Sequence, residues 1–257
     1  MKLLWTTDLH LLNPGVLHST GVDPEIRLRR CIDDMLSNHG DAKRLVITGD
    51  LIQLRNTAAY SVLANILADV RMPVRLLVGN HDDRVALSEV FPDAQLHEGF
   101  LQDVEEVDGH QLIYLDTLAD GKHSGQLSPQ RLAWLDKTLA SADGPALLFM
   151  HHPPTNVGIP ALDKLRLSDG DTELADILRR HRNRQPYLFC GHLHRNVSGI
   201  WRGTPYTVMT TPHLGIALRM EQQPLVKVDE NPGYGVILCD KDGVVVHTQS
   251  LTKDAAV

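Results

Sequence analysis

Arg44-Leu45-Val46-Ile47-Thr48-Gly49-Asp50 is a short apolar, β-branched run that ends abruptly in a glycine and a carboxylate. A run of this kind, bounded by turn residues, fits a strand covered on both faces, and open α/β sheets place their ligands at the ends of such strands. Four other segments repeat the design. Leu3-Leu4-Trp5-Thr6-Thr7 runs into Asp8-Leu9-His10, and Val74-Arg75-Leu76-Leu77-Val78 into Gly79-Asn80-His81-Asp82. Ala146-Leu147-Leu148-Phe149-Met150 runs into His151-His152-Pro153-Pro154, and Tyr187-Leu188-Phe189-Cys190 into Gly191-His192-Leu193-His194. Together they bring Asp, His and Asn side chains to one edge, with Asp50 as the carboxylate that the others surround.

Between these strands the pattern is helical. Asp23-Pro24-Glu25 reads as an N-cap with proline at the first helical position, and Ile26, Leu28, Cys31, Ile32, Met35 and Leu36 form an apolar stripe that ends at Gly40. A second helix is expected from about Thr57 to Val70, with Tyr60, Leu63, Ile66 and Leu67 inward. The resulting β-α-β-α-β order implies parallel strands with right-handed crossovers, so that their ligand-bearing ends share one side. Further along, a short helix to Val90, a hairpin turning at Asp108-Gly109, a helix capped by Ser128-Pro129 and another over Asp171 to Arg182 are expected. The segments Leu11 to Val22, with a surface His18, and Thr155 to Gly170 read as loops at the mouth of the site. Ile159, Leu162, Leu165 and Leu167 in the second are expected to line a pocket wall or a subunit contact. Residues 1–195 form the α/β part. From 196 to 257 short alternating strands, Val197 to Trp201, Tyr206 to Thr210, Ile216 to Met220, Leu225 to Val228, Tyr234 to Cys239 and Val244 to Thr248, predict an antiparallel sheet.

Composition narrows the functional classes. The 257 residues suit one large α/β domain, and nothing in them resembles an interdomain linker. With 25 basic against 32 acidic residues, a formal charge of −7 and no Lys/Arg run, a nucleic-acid polymer is not the expected partner. The chain runs from Met1 straight into a strand and a candidate ligand, and no apolar span reaches membrane length, so a cytoplasmic protein is expected. Cys31, Cys190 and Cys239 are far apart and lack a CxxC spacing, which suits a reducing compartment and argues against a thiolate metal site.

Asp8, His10, Asp50, Asn80, His151, His192 and His194 supply seven oxygen and nitrogen donors, more than one tetrahedral ion needs. Two divalent ions drawn from Mn²⁺, Fe²⁺, Zn²⁺ or Co²⁺ fit that donor chemistry. If the backbone stays extended past the strand ends, residues i and i+2 face one way, and each of the pairs Asp8/His10 and His192/His194 converges on one cavity. Two cations about 4 Å apart need a shared anionic ligand, and can hold a hydroxide nucleophile while clamping the oxygens of a phosphoryl group.

The series Asp8-x-His10, Gly49-Asp50, Gly79-Asn80-His81-Asp82, His151-His152-Pro153-Pro154 and Gly191-His192-x-His194 resembles the calcineurin-like metallophosphoesterase superfamily. Its order and spacing are most similar to the bacterial class III cyclic-nucleotide phosphodiesterase and glycerophosphodiesterase branch. The resemblance implies a four-layer α/β/β/α sandwich and a small phosphodiester as substrate. It implies that Asp8, His10, Asp50 and His194 hold one ion, and that Asp50, Asn80, His151 and His192 hold the other, with Asp50 bridging. It also gives His81 the role of protonating or stabilising the leaving oxygen, a task that suits an imidazole.

His151, directly after the apolar run, is chosen over His152, which is expected to stand behind it. Asp82 and Arg84 read as an ion pair at a helix start, with orientation of His81 or contact with a phosphate as the alternative. Asp116 reads as a structural carboxylate. His97, His123 and His213 are weaker candidates for lining the pocket. Hydrolysis of nucleotide pyrophosphates or of phosphate or phosphonate monoesters stays open on the same site, and a silent binding scaffold would lack ligands that are all present here. The C-terminal strands allow either a homodimer or larger assembly, or an edge covered within the monomer.

Overall fold

The computed structural model describes residues 1–14, 16, 19–53, 56–222 and 224–252; His18, in the first expected loop, lies outside the described residues. The first half of the chain supplies β1 (Lys2–Thr6), α1 (Pro24–His39), β2 (Arg44–Thr48), α2 (Ala59–Leu67), β3 (Val74–Leu77), α3 (Arg84–Val90), β4 (Asp103–Val107) and β5 (His110–Leu115). Then follow β6 (Gly125–Gln126), α4 (Pro129–Ala140), β7 (Ala146–Met150), α5 (Pro160–Asp163), β8 (Leu167–Asp169), α6 (Asp171–Arg180) and β9 (Tyr187–Cys190). The last part gives β10 (Val197–Trp201), β11 (Thr204–Val208), β12 (Gly215–Ile216), β13 (Lys227–Val228), β14 (Gly233–Asp240) and β15 (Gly243–Ser250).

Two sheets dominate, ordered β15-β14-β1-β2-β3 and β10-β11-β9-β7-β5-β4. β1, β2 and β3 run parallel, as do β5, β7, β9 and β11. Strand alternation then sorts the side chains into layers. Leu3, Trp5, Val46 and Leu77 of one sheet meet Leu112, Tyr114, Leu147, Phe149 and Phe189 of the other in a shared inner core. Leu4, Leu45 and Ile47 point the opposite way, onto Leu28, Cys31, Ile32 and Met35 of α1 and Tyr60, Leu63 and Ile66 of α2. On the far side Ile113, Leu148 and Leu188 pack on Leu132, Leu135 and Leu139 of α4 and Leu174 and Leu178 of α6. The result is the expected α/β/β/α sandwich, with the central strands β1, β2, β5, β7 and β9 covered on both faces, which is why they read as continuous apolar runs.

Local signals explain the element ends. Asp23 caps α1 by accepting from the N–H groups of Glu25 and Ile26, Asp83 caps α3 through Val85 and Ala86, and Ser128 caps α4 through Arg131. Asp108 and Gly109 both take positive φ, 47° and 77°, which matches a tight two-residue turn to the twist of the β4–β5 hairpin.

Two expectations are corrected. The C-terminal strands make no sheet of their own: β14 and β15 extend the first sheet beside β1, β10 and β11 extend the second beside β9, and only β12 and β13 form a separate two-stranded ribbon. Strand alternation read along the chain cannot say which edge a strand will join. Likewise Ile159, Leu162 and Leu167 turn inward into the core of the second sheet instead of lining a pocket or a subunit contact. The segment that carries them contains α5, and β8, which pairs with β6.

Candidate active site

The five motif loops meet at the C-terminal ends of β1, β2, β3, β7 and β9. β1 stops at Thr6, so Asp8 and His10 lie beyond the strand, and the backbone there is not extended. Asp8, His10, Asp50, His192 and His194 have φ of 55°, 48°, 49°, 73° and 50°. The convergence expected from extended i, i+2 geometry is therefore reached another way, by left-handed turns. L-residues adopt this conformation at a cost, and Asp and His tolerate it better than bulky residues. Cross-loop hydrogen bonds hold the turns: Asp8 N–H to Gly49 O and His10 N–H to Asp50 O, both 3.0 Å, and Leu11 N–H to Leu51 O, 3.1 Å. The loops also cross too closely for side chains. A Cβ on Gly79 would overlap Asp50 Oδ1, and one on Gly191 would overlap Thr7 Oγ1.

Asp50 sits at the centre, 2 % exposed. Its Oδ1 accepts the His81 backbone N–H at 2.9 Å. Its Oδ2 faces Nε2 of His151 at 3.5 Å, of His10 at 3.7 Å and of His81 at 3.9 Å. The outer nitrogens of the rings are tied down. His10 Nδ1 lies 2.7 Å from Gln53 Oε1, His151 Nδ1 2.8 Å from Thr48 O and His194 Nδ1 2.7 Å from Leu214 O. Each acceptor draws the ring proton to Nδ1, which leaves Nε2 bare and pointed inward. His10 Nε2 then meets His194 Nε2 at 3.0 Å, and His151 Nε2 meets His192 Nδ1 at 3.2 Å. Two imidazole lone pairs so placed repel unless a proton or a cation lies between them.

Asp8 adds an acceptor to this set. Its Oδ2 takes the His192 N–H and the Thr7 hydroxyl, each at 2.8 Å, whereas its buried Oδ1 has no hydrogen-bond partner among the described residues and lies 3.3 Å from His194 Nε2. Burial opposes ionisation of Asp8, but the His194 imidazole overrides it and holds the carboxyl at about 2. Burial likewise opposes ionisation of Asp50, and His151 carries it well below the usual carboxylate range. Among the imidazoles, burial and neighbouring rings push His10 and His192 down to about 3, while Asp50 lifts His151 to about 9 against burial. Unequal protonation of this kind is what a cluster of bare donors adopts when protons alone separate them.

Asn80 stands between Gly79 and His81, both of which touch Asp50. Among the described residues its buried Oδ1 is unpartnered, and its Nδ2 lies 3.1 Å from Nδ1 of the exposed His123. With Nδ2 donating to that ring, Oδ1 is left to face the cluster. Ligand atoms of Asp8, His10, Asp50 and His194 lie within 4.8 Å of one another, and so do those of His151, His152 and His192. The unpartnered Asp8 and Asn80 oxygens, the facing imidazole nitrogens and the absence of sulfur fit hard or borderline divalent cations. His152 is part of the second group by distance; Thr117 Oγ1 holds its Nδ1 at 2.8 Å, its ring lies against Gly125, and among the described residues its buried Nε2 has no hydrogen-bond partner.

The remaining sequence candidates separate. His81 borders the cluster with its ring 4.7 Å from that of His10, and burial lowers its pKa. His213 is buried 5.7 Å, ring to ring, from His10. His97 bridges to Phe100 and lines a cavity that includes none of the cluster residues. Asp82 braces the loops instead of pairing with Arg84: it accepts from Gly79 N–H at 2.8 Å, Leu51 N–H at 3.1 Å and the Tyr60 hydroxyl at 3.2 Å. Burial and Asp50 push it up to about 7. Arg84 is fully engaged by Asp116, Asp120 and the Leu118 carbonyl, which removes it as a phosphate contact. His123 is the residue that sequence reasoning undervalued; an exposed histidine in a loop carries no periodic signal, and only the fold brings it to Asn80.

A profile described as calcineurin-like phosphoesterase matches residues 1–196. The chain belongs to that family. Among its relatives, a probable cyclic nucleotide phosphodiesterase of Rhodopseudomonas palustris is 36% identical over 261 residues, covering 99% of this chain and 94% of its own length. The cyclic adenosine monophosphate phosphodiesterase CpdA of Escherichia coli is 31% identical over 246 residues, covering 95% and 87%. A probable glycerophosphodiester phosphodiesterase GpdQ of Arcobacter nitrofigilis is 28% identical over 258 residues, covering 98% and 94%. These are the two activities of the branch that the motif series resembles. A purple acid phosphatase from yellow lupin shares the fold of this calcineurin-like chain with a TM-score of 0.68 at 11% identity, over 97% of this chain and 51% of its own.

Proposed function

We propose that the Asp50 cluster hydrolyses a small phosphodiester of the cyclic-nucleotide or glycerophosphodiester type with two divalent cations bound. The observation that carries this reading is Asp50 Oδ2 ringed by three imidazole Nε2 atoms at 3.5–3.9 Å, a buried carboxylate surrounded by nitrogens of the kind that ligate a cation. Asp8, His10, Asp50 and His194 would hold one cation, and Asp50, Asn80, His151 and His192 the other, with Asp50 shared. Bound cations lower the pKa of water and neutralise charge on phosphoryl oxygens. The chain supplies the geometry. Gln53, Thr48 and Leu214 set three ring tautomers, and His123 sets the Asn80 amide. His81, with 16% of its side chain exposed, holds its Nε2 where a proton can pass to a departing alkoxide.

The chain is thus a metal-dependent phosphodiester hydrolase, and the relatives named for cyclic nucleotides and glycerophosphodiesters support the substrate class. The net charge of −7 supports a small substrate over a nucleic-acid polymer. Mn²⁺, Fe²⁺, Zn²⁺ and Co²⁺ all suit the donors. Three buried, unpaired cysteines support a cytosolic setting, and among the described residues no helix is long and apolar enough to cross a membrane. The test strips the metal, restores each cation in turn and compares aryl phosphodiester with aryl phosphomonoester, then cyclic AMP with glycerophosphodiesters. Metal-dependent preference for the diester is expected. Two bound cations with no diester turnover would refute the proposal.

A further inference from the structure

The three oxygens that set ring tautomers around Asp50 are not equally well supported. Thr48 O closes β2, and Gln53 directly follows the bridge between Leu11 and Ile52. Leu214 O, which accepts from His194 Nδ1 at 2.7 Å, belongs to neither main sheet. It lies beyond residue 196, where the family profile ends, in the stretch 211–214 that leads into the β12–β13 ribbon. A carbonyl so placed needs a brace of its own to stay aimed at an imidazole.

Two side chains supply the brace. Thr211 Oγ1 donates to the Asp8 carbonyl at 2.6 Å and accepts the His213 N–H at 2.8 Å, which ties the near end of the stretch to the first motif loop. Arg27 holds the far end. From the start of α1, and only 4% exposed, it donates Nη1 to His213 O at 3.1 Å and to Glu230 O at 3.4 Å, and Nη2 to Asp229 Oδ1 at 2.5 Å. The bond to His213 O fixes the plane of the peptide joining His213 to Leu214, and so the direction of the next carbonyl. The bonds to Asp229 and Glu230 fasten the chain just past β13 to the same guanidinium, whose rigid fork suits several acceptors at once.

We infer that Arg27 is a positioning residue for the cation assigned to Asp8, His10, Asp50 and His194, acting through the Leu214 carbonyl on the His194 ring. Without the guanidinium the peptide after His213 can turn, and Leu214 O leaves Nδ1. The ring proton is then free to move to Nε2, where it covers the lone pair that a cation needs. The inference rests on the two-cation reading of the site.

The test is calorimetric titration of the metal-stripped full chain with Mn²⁺, and it reads binding instead of turnover. Two binding steps are expected in the parent. Arg27→Met should weaken one of them about tenfold or more, the same step that His194→Ala weakens. In a His194→Ala background Arg27→Met should change neither step further, because both substitutions act on one ligand. Arg184→Met is the matched control. Arg184 is 2% exposed and holds the Gly144 and Leu139 carbonyls and Gln111 Oε1, so its loss should lower the thermal midpoint and leave both steps alone. Should Arg27→Met fail to fold, Arg27→Lys, which keeps the charge without the fork, decides by the same step. Parental affinity in the folded Arg27 variant, a further loss in the His194→Ala background, or equal weakening by Arg184→Met would overturn the inference and leave the two-cation reading standing. A parent that binds no cation would overturn both.

Discussion

Asp50 and Asp116 look alike in the sequence: each closes an apolar strand, and each is buried, at 2% and 0% exposure. Their surroundings are opposite. Asp116 is saturated with donors, taking Arg84 Nε at 2.6 Å, Arg84 Nη2 at 2.9 Å, Leu101 N–H at 2.9 Å and Leu118 N–H at 3.0 Å, with Arg131 Nη1 at 3.5 Å. Among the described residues Asp50 accepts one backbone N–H, from His81, and its Oδ2 is ringed by imidazole Nε2 atoms at 3.5–3.9 Å. A buried carboxylate paired with guanidinium groups, which never give up their charge, is structural, whereas one ringed by imidazoles, which lose their protons to a metal, can share a cation.

The contrast breaks if the two carboxylates respond alike to neutralisation. Asp50→Asn should leave thermal stability near that of the parent and cut diester turnover about a thousandfold, the several kcal/mol that shared-cation chemistry contributes. Near-normal turnover in a purified, metal-loaded variant would dismiss Asp50 as the shared ligand. Asp116→Asn should do the reverse. It strands two buried guanidinium groups and should lower unfolding free energy by about 3 kcal/mol, with cation stoichiometry measured by elemental analysis unchanged.

A half-buried carboxylate sharpens the rule. Glu105 on β4 is held by Arg44 of β2, Arg75 of β3 and the Tyr114 hydroxyl, and so ties one sheet to the other. Burial raises its pKa, but the two guanidinium groups prevail and carry it from 4.5 to about 2. A depressed carboxylate stabilises the fold fully above its unfolded pKa and ceases to as pH falls through the folded one. The loss therefore lies between pH 4.5 and about 2 and amounts to at most about 3 kcal/mol. Glu105→Gln should flatten that limb of a denaturant-midpoint titration; an unchanged limb would assign it to other groups. The smallest effect concerns the edge of the site. His123→Ala should weaken one of the two cations about tenfold by metal titration, and His123→Gln, which keeps an acceptor for the Asn80 amide, should recover part of it. Two cations held at parental affinity in His123→Ala would leave His123 a bystander.

How much could be read in advance follows from the range of each signal. The strand ends at Asp50, Asn80, His151 and His192 were legible because an apolar run ending in Gly and a polar donor is a local pattern, and a parallel order puts all such ends on one side. The left-handed backbone at Asp8 and His10 was not, because it is imposed by hydrogen bonds to the Gly49 and Asp50 carbonyls some forty residues away. The partners of β10 to β15 were hidden for the same reason, since alternation fixes which face a residue takes and leaves the neighbouring strand open.

The sequence by itself determined the covered strands, the helices between them and the inventory of oxygen and imidazole donors, all of which depend on residue type and short-range spacing. Tertiary structure alone decided which nitrogen of each histidine faces inward, that His123 meets the Asn80 amide, and that Asp116 is paired with guanidinium groups while Asp50 is ringed by imidazoles. Those outcomes rest on contacts between loops remote in sequence. At hydrogen-bonding distance a single donor or acceptor reverses what a buried charge can do.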